Sequence, residues 1–261
     1  MEYQHILWEQ QDGVGVITLN RPNALNALNY AHLTELSQAV ERAEYDPEVR
    51  SLVITGAGRG FSAGADVKEW GAGTSEDRPA IGWVELAQVL VTRIYRMAKP
   101  VVAAVNGVAV GAGCDIALAA DLRIASTAAR FGQAFIQVGY CPDTGGSFLL
   151  PRLVGEARAM EMIYTGRIIE SGEADRIGLL NALVEPEDLM PTALELAGRL
   201  AKGPTIAIGY SKQNIRQNAT LSFEDALRNE RRAGIICSQT EDHKEGLAAT
   251  VERRAANFQG R

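Results

Sequence analysis

The sequence predicts an α/β fold: a core of strands alternating with helices over residues 1–200, followed by a helical unit over residues 201–261. Three observations lead there. Short β-branched runs such as Val101–Val105 recur between helix-spaced segments. Glycine-rich turns follow those runs. From Ala157 onward the β-branched runs thin out and helical spacing takes over. With 261 residues, 46% apolar and 22% charged, the chain can bury one large core, or one core plus a smaller unit.

Taken in order, Ile6 and Trp8 alternate with polar residues, and Val14, Val16, Ile17 and Leu19 resume after Asp12-Gly13, so the chain opens as two strands joined by a tight turn. Leu33, Leu36, Val40 and Ala43 fall at helical spacing within Leu28 to Tyr45, and Asp46-Pro47 stops that helix. Val49, Leu52, Val53 and Ile54 form a buried strand ending in Thr55-Gly56. A helix from Val84 to Met97, a break at Lys99-Pro100 and the strand Val101–Val105 repeat the pattern. A helix over Gly111 to Ala120 and a strand over Leu122 to Ile124 follow. The tail carries helical patterns at Ala157–Tyr164, Leu189–Ala201, Thr205–Gln217, Ser222–Ser238 and Asp242–Ala256.

Several functional classes are disfavoured. The longest apolar stretch, Val101 to Ala120, is broken by Asn106, three glycines and Asp115, so no membrane span is expected. The N-terminus lacks a basic region followed by an apolar run, which points to an unprocessed cytoplasmic protein. A net charge of -6 argues against nucleic acid as a partner. Cys114, Cys141 and Cys237 have no metal-like spacing and read as buried free thiols; with His5, His32 and His243 scattered, no metal or redox cofactor is indicated.

Three segments carry chemistry. Gly58 to Asp66 follows a strand and is rich in small residues, which let backbone approach a ligand with its amides uncovered; an ordinary loop is the other reading. Asn106 to Asp115 follows a strand and leads into a helix, whose N-terminus presents unpaired N–H groups to negative charge. Its Gly-x-x-x-Gly-x-Gly spacing is not the dinucleotide-binding pattern. In Gly139 to Ser147, Asp143 sits between proline and two glycines. It is either a general base of raised proton affinity or the N-cap of a short helix running to Leu149. Asp115 carries the same ambiguity.

Together these segments resemble the crotonase superfamily, the enoyl-CoA hydratase/isomerase family. The resemblance spans nearly the whole chain: Gly15 to Pro22 with Ala24 to Leu28, Gly60 to Asp66, Lys99 to Gly107 with Gly111-Ala112-Gly113, and the tail from Glu245 to Gly260. It implies a crotonase-like spiral of β-β-α units, with residues 1–200 as the acyl-CoA-binding core. Residues 201–261 would form a helical region that trimerises, two trimers often making a hexamer. It implies an acyl-CoA thioester as substrate, coenzyme A being part of that substrate and no separate cofactor being required. The backbone N–H groups of Ala65 and Ala112 would hold the thioester oxygen. Ser62, Ala63, Gly64, Asp66, Val67 and Lys68 would line the adenine and pantetheine channel with Ala24 nearby, and Arg59 and Lys68 would meet phosphates.

Hydratases of the family carry two glutamates; the matching positions here are Asp115 and Phe135, and a phenyl ring transfers no proton. Asp143 stands where isomerases of the superfamily carry an aspartate. The resemblance therefore implies double-bond isomerisation, with Asp143 as shuttle base and Asp115 assisting or orienting it. Hydration and a non-catalytic CoA-binding scaffold are the alternatives. Trp70, Ile81, Trp83 and Phe135 are candidates for the wall of an acyl pocket, or plain core.

Overall fold

A computed structural model describes residues 3–71 and 80–261. Its strands are β1 (Ile6–Gln11), β2 (Val14–Leu19), β3 (Ser51–Gly56), β4 (Gly60–Ser62), β5 (Val101–Val105), β6 (Val108–Val110), β7 (Leu122–Ser126), β8 (Arg130–Gly132), β9 (Ile168–Glu170) and β10 (Ala182–Val184). The helices of the core are α1 (Tyr30–Tyr45), α2 (Val67–Gly71), α3 (Ala80–Arg96), α4 (Ala112–Ala119), α5 (Gly146–Val154), α6 (Glu156–Thr165), α7 (Ser171–Arg176) and α8 (Leu189–Ala201). Those of the tail are α9 (Thr205–Asn218), α10 (Phe223–Ser238) and α11 (Glu241–Glu252).

The strands form two sheets. The six-stranded one runs β1-β2-β3-β5-β7-β10 and the four-stranded one β4-β6-β8-β9. Among the described residues only β1 against β2 and β9 against β8 are antiparallel; the other pairings are parallel. The chain lays β3 in the large sheet and β4 in the small one, returns through helices, and repeats this with β5 and β6, then β7 and β8. This is a spiral of β-β-α units. The opening hairpin turns on Asp12 and Gly13, both at positive φ (51° and 80°), as a two-residue hairpin loop requires.

The large sheet is apolar on both faces, which is why its strands read as continuous β-branched runs. Leu52, Ile54, Val101, Ala103 and Val105 face the main core with α1, α3 and α4, while Val53, Val102 and Ala104 face Leu189, Ala193, Ala197 and Ala201 of α8. The tail is tied to this core by partly buried polar contacts: Asp121, just before β7, accepts from Lys212 Nζ (2.8 Å) and Arg216 Nη2 (2.6 Å) of α9. Among the described residues, no helix is long and apolar enough to cross a membrane.

Two sequence expectations need correction. The last helix ends at Glu252, not Ala256: Arg253 adopts a left-handed conformation (φ 57°), and Glu245 then binds Arg254 and the Asn257 amide, so the tail turns back. Of the cysteines only Cys114 is buried; Cys141 is exposed and Cys237 half-buried. Burial in an apolar setting pushes the Cys114 thiol up to about 12, so it remains protonated.

Candidate active site

Two glycine-rich segments converge because their backbones can touch. A Cβ on Gly64, which sits at φ 84°, would lie 2.6 Å from the Val110 oxygen and 3.4 Å from the Ala112 nitrogen. A Cβ on Gly113 would lie 2.3 Å from the Ser62 oxygen. Side chains at either position would drive the segments apart.

The two alanine amides are oriented by what their neighbours bond. Leu28 N donates to Gly64 O (2.7 Å) and Asp66 N donates to Leu28 O (3.2 Å), forming an isolated parallel bridge opposite Ala65. Because the C=O of Gly64 and the N–H of Ala65 belong to one trans peptide and point to opposite sides, the N–H of Ala65 faces away from Leu28. Ala112 is the first residue of α4. The helix ladder there begins with Asp115 N donating to Gly111 O (3.0 Å), so the Ala112 N–H belongs to the unladdered first turn at the positive end of the helix dipole.

The loop carrying Ala65 is fixed by residues whose part the motifs alone did not assign. Asn26, fully buried at φ 56°, donates to Ala57 O (3.0 Å) and Gly60 O (2.7 Å) and accepts from Arg21 N (2.8 Å). The Ser62 hydroxyl is also fully buried and donates to Asn26 O (2.9 Å). Asp66 pairs with Arg21 (3.0 Å) and accepts from Lys68 N (3.2 Å) at the start of α2. The expected channel residues thus divide. Ser62 and Asp66 hold the loop, and Ser62 has no exposed surface for a ligand. Gly64 is buried and serves through its backbone, Ala24, Ala63 and Ala65 are half-buried, and Arg59, Val67 and Lys68 are exposed.

Beyond the first turn of α4 lies the acidic part of the site. Asp115 is fully buried; its carboxylate accepts from Gln133 Nε2 (2.7 Å) and Thr144 Oγ1 (2.5 Å). Burial raises its pKa to about 6, with Asp143 adding to the rise against the hydrogen bonds from Thr144, Gln133 and the Gly146 amide. Asp115 thus has no exposed surface and both its oxygens are held by buried donors, an arrangement that suits the orienting role.

Asp143 is half-buried, and its main-chain oxygen accepts from Gln88 Nε2 of α3 (2.8 Å). Both carboxylate oxygens are shielded from solvent, and neither meets hydrogen-bond geometry with a group among the described residues. Desolvation raises the carboxyl's pKa, outweighing the neighbouring Tyr140 hydroxyl, which draws it down. Asp143 is not a helix cap: α5 starts at Gly146, and its cap is Gly145.

Phe135 is half-buried with its ring edge 3.7 Å from where a Gly111 Cβ would be, so the phenyl packs beside the start of α4. Trp83 is core: it is 4% exposed and donates its indole N–H to Leu28 O (3.1 Å). The side chains of Trp70 and Ile81 lie outside the described residues. Among the described residues no cluster of histidine, cysteine and carboxylate side chains could hold a metal.

Comparisons with known proteins give the family. The sequence profile of the family Enoyl-CoA hydratase/isomerase matches residues 9–261. A crotonyl-CoA hydratase from Syntrophomonas wolfei is 40% identical, covering 99% of each chain. A 1,2-epoxyphenylacetyl-CoA isomerase from Escherichia coli is 38% identical, again covering 99% of each. The crystal structure of an enoyl-CoA hydratase from Bacillus anthracis superposes with a TM-score of 0.94 at 34% identity, over 99% of this chain and 100% of that one. Profile, relatives and spiral fold coincide over nearly the full length, and the chain belongs to the enoyl-CoA hydratase/isomerase family.

Proposed function

We propose that the protein is an acyl-CoA isomerase that moves a double bond by way of an enolate. The observation that carries this reading is the acid-base inventory beside α4: one desolvated, half-buried carboxylate, Asp143, with a phenyl ring, Phe135, where a second acid would stand.

The substrate's thioester oxygen accepts from the Ala65 and Ala112 amides. The Asp143 carboxylate removes a proton from the acyl α-carbon. The released C–H pair becomes the α-carbon's bond to the carbonyl carbon, and the carbonyl π pair moves onto oxygen, where two preorganised donors stabilise it. Such a donor is typically worth about 100- to 1000-fold in rate. The oxygen then reforms the carbonyl, the double bond shifts to the α–β position, and the γ-carbon takes the proton back from the Asp143 carboxyl. The raised pKa of Asp143 suits it to both steps, since desolvation makes the carboxylate a stronger base towards the α-proton and its conjugate acid can then return that proton. Arg59 and Lys68, exposed beside the loop, suit the coenzyme A phosphates.

The name of the Escherichia coli relative supports isomerisation, while the names of the Syntrophomonas relative and of a short-chain-enoyl-CoA hydratase from Clostridium acetobutylicum (41% identical) favour hydration as the second reading. The deciding experiment offers 2-enoyl- and 3-enoyl-CoA thioesters to wild type and Asp143→Asn and follows mass and ultraviolet absorbance. A moved double bond at unchanged mass, lost in the variant with acyl-CoA binding retained, is expected. A gain of one water would install the hydratase reading, and binding without turnover would leave a CoA-binding scaffold.

For the assembly, α10 and α11 expose Phe223, Leu227, Ile235, Ile236, Leu247 and Val251 in the single chain. Burying these against further copies supports a homotrimer or homohexamer, which light scattering would test: a monomer in solution would refute it.

A further inference from the structure

The reading of Asp143 as the base leaves a question of placement, because its carboxylate is neighboured by the exposed Tyr140, which does not tie it to the helix that carries an oxyanion donor. The anchor lies one residue on. Thr144 is 1% exposed and donates its hydroxyl to Asp115 Oδ2 at 2.5 Å; Gln133, fully buried, donates to Oδ1 at 2.7 Å. The Gly146 amide approaches the same carboxylate. A Cβ on Gly146 would lie 2.5 Å from Asp115 Oδ1 and 2.6 Å from Gln133 Oε1, so this approach needs a glycine.

Three donors from two different segments therefore converge on one buried group. Only an acceptor-only side chain satisfies them all. A carboxylate does so, whereas an Asn amide would turn a donor towards at least one of them. Each segment held in this way carries a part of the site. Asp115 lies three residues after Ala112 on α4, Gln133 lies two before Phe135, and Thr144 adjoins Asp143.

We infer that Thr144, clamped with Gln133 onto the buried Asp115 carboxylate, is a positioning residue that sets where the base Asp143 stands relative to the Ala112 amide. This rests on the reading of Asp143 proposed above. The Thr144 hydroxyl touches no substrate; it acts by holding the 143–146 turn against the helix that carries an oxyanion donor. The separation between base and donor is thus fixed through hydrogen bonds rather than through the covalent chain, which runs 31 residues from Ala112 to Asp143.

The test compares Thr144→Val, which keeps the shape and removes the hydroxyl, with Thr144→Ser, which keeps the hydroxyl. Measured quantities are kcat on an isomerised 3-enoyl-CoA, exchange of acyl α-hydrogens with deuterated water, and the Kd of a saturated acyl-CoA. A base misplaced by about 1 Å loses on the order of 100-fold. Thr144→Val is therefore expected to lower kcat and exchange by about 10- to 100-fold with Kd nearly unchanged, and Thr144→Ser to restore most of both. Asp115→Asn carries the same expectation and stands in if the valine variant fails to fold. The Thr144→Val/Asp115→Asn double variant should be no worse than the poorer single, as for groups acting through one another.

Wild-type kcat in Thr144→Val, equal losses in the valine and serine variants, or losses that multiply in the double variant would overturn the inference. Asp143→Asn is run alongside. If it exchanges and turns over like wild type, the base reading has failed. If it is inert while Thr144→Val is normal, only the positioning role has failed.

Discussion

Replacing Gly113 by alanine tests the convergence of the two oxyanion segments at its tightest point. The added Cβ would sit 2.3 Å from the Ser62 oxygen and 2.7 Å from its Cβ, where ordinary contact begins at 3.4 Å. The Gly60–Ser62 strand or the first turn of α4 must therefore retreat by about 1 Å, a displacement that typically costs on the order of 100-fold when it falls between reacting groups. Ser62 cannot yield by rotating away, because the atom it presents is backbone and its hydroxyl is held on Asn26 O. Overpacking of this kind also destabilises by about 1–3 kcal/mol. Gly198→Ala in α8 is the control: nothing lies within 4 Å of its Cβ, so it should stabilise by about 0.5–1 kcal/mol with activity intact. The assay is kcat and α-hydrogen exchange alongside thermal unfolding, at a temperature where both variants are folded. If Gly113→Ala folds and retains wild-type kcat, the separation of the Ala65 and Ala112 amides does not set the rate, and the oxyanion assignment fails with it.

Phe135→Glu places a carboxylate beside Gly111, where the phenyl now packs, and should raise water addition to a 2-enoyl-CoA relative to isomerisation; an unchanged product ratio by mass spectrometry would show that the ring does not exclude hydration. His32 is fully buried, and desolvation, against the hydrogen bond that Ala27 O accepts from the ring, lowers its pKa to about 4. Because the unfolded chain takes up that proton first, stability is full above pH 6.5 and declines towards pH 4, by about 2 kcal/mol between pH 7 and 5. His32→Gln should remove this component of the urea-unfolding slope. It is read as wild type minus variant, since Asp115, raised to about 6, contributes a slope of opposite sign. Asp121→Ala strips the carboxylate from Lys212 and Arg216, leaves one buried and one half-buried cation and should cost about 3 kcal/mol by denaturant unfolding; a loss under 1 kcal/mol would show that the tail does not depend on that contact.

Much of the fold was legible because its signals are local. The hairpin could be read from Asp12-Gly13, and α8 and α9 from apolar spacing that starts and stops within a residue of the observed ends. The second sheet was not legible. Strands β4, β6, β8 and β9 have three residues each, too few for a period to show, and they exist because neighbouring turns of the spiral supply their partners. The end of α11 was missed for a related reason: its stop is the Glu245 contact to Arg254 and Asn257, and no proline or glycine follows to mark it before Gly260.

The sequence by itself determined the long helices and the strands of the large sheet's centre, the glycine-rich segments that expose backbone amides, and the candidates Asp115 and Asp143, because strand and helix periodicity and the steric freedom of glycine act within a few residues. Only the tertiary structure decided how those candidates divide. Asp115 and Asp143 are both aspartates flanked by small residues, yet one is wholly enclosed by donors from Gln133 and Thr144, while the other is half-buried beside Tyr140. The same holds for Ser62, which packs inward against Asn26, and for Trp83, which joins the core. Burial and hydrogen-bond satisfaction depend on residues distant in the chain, so the chemistry of a carboxylate is settled by its neighbours in space.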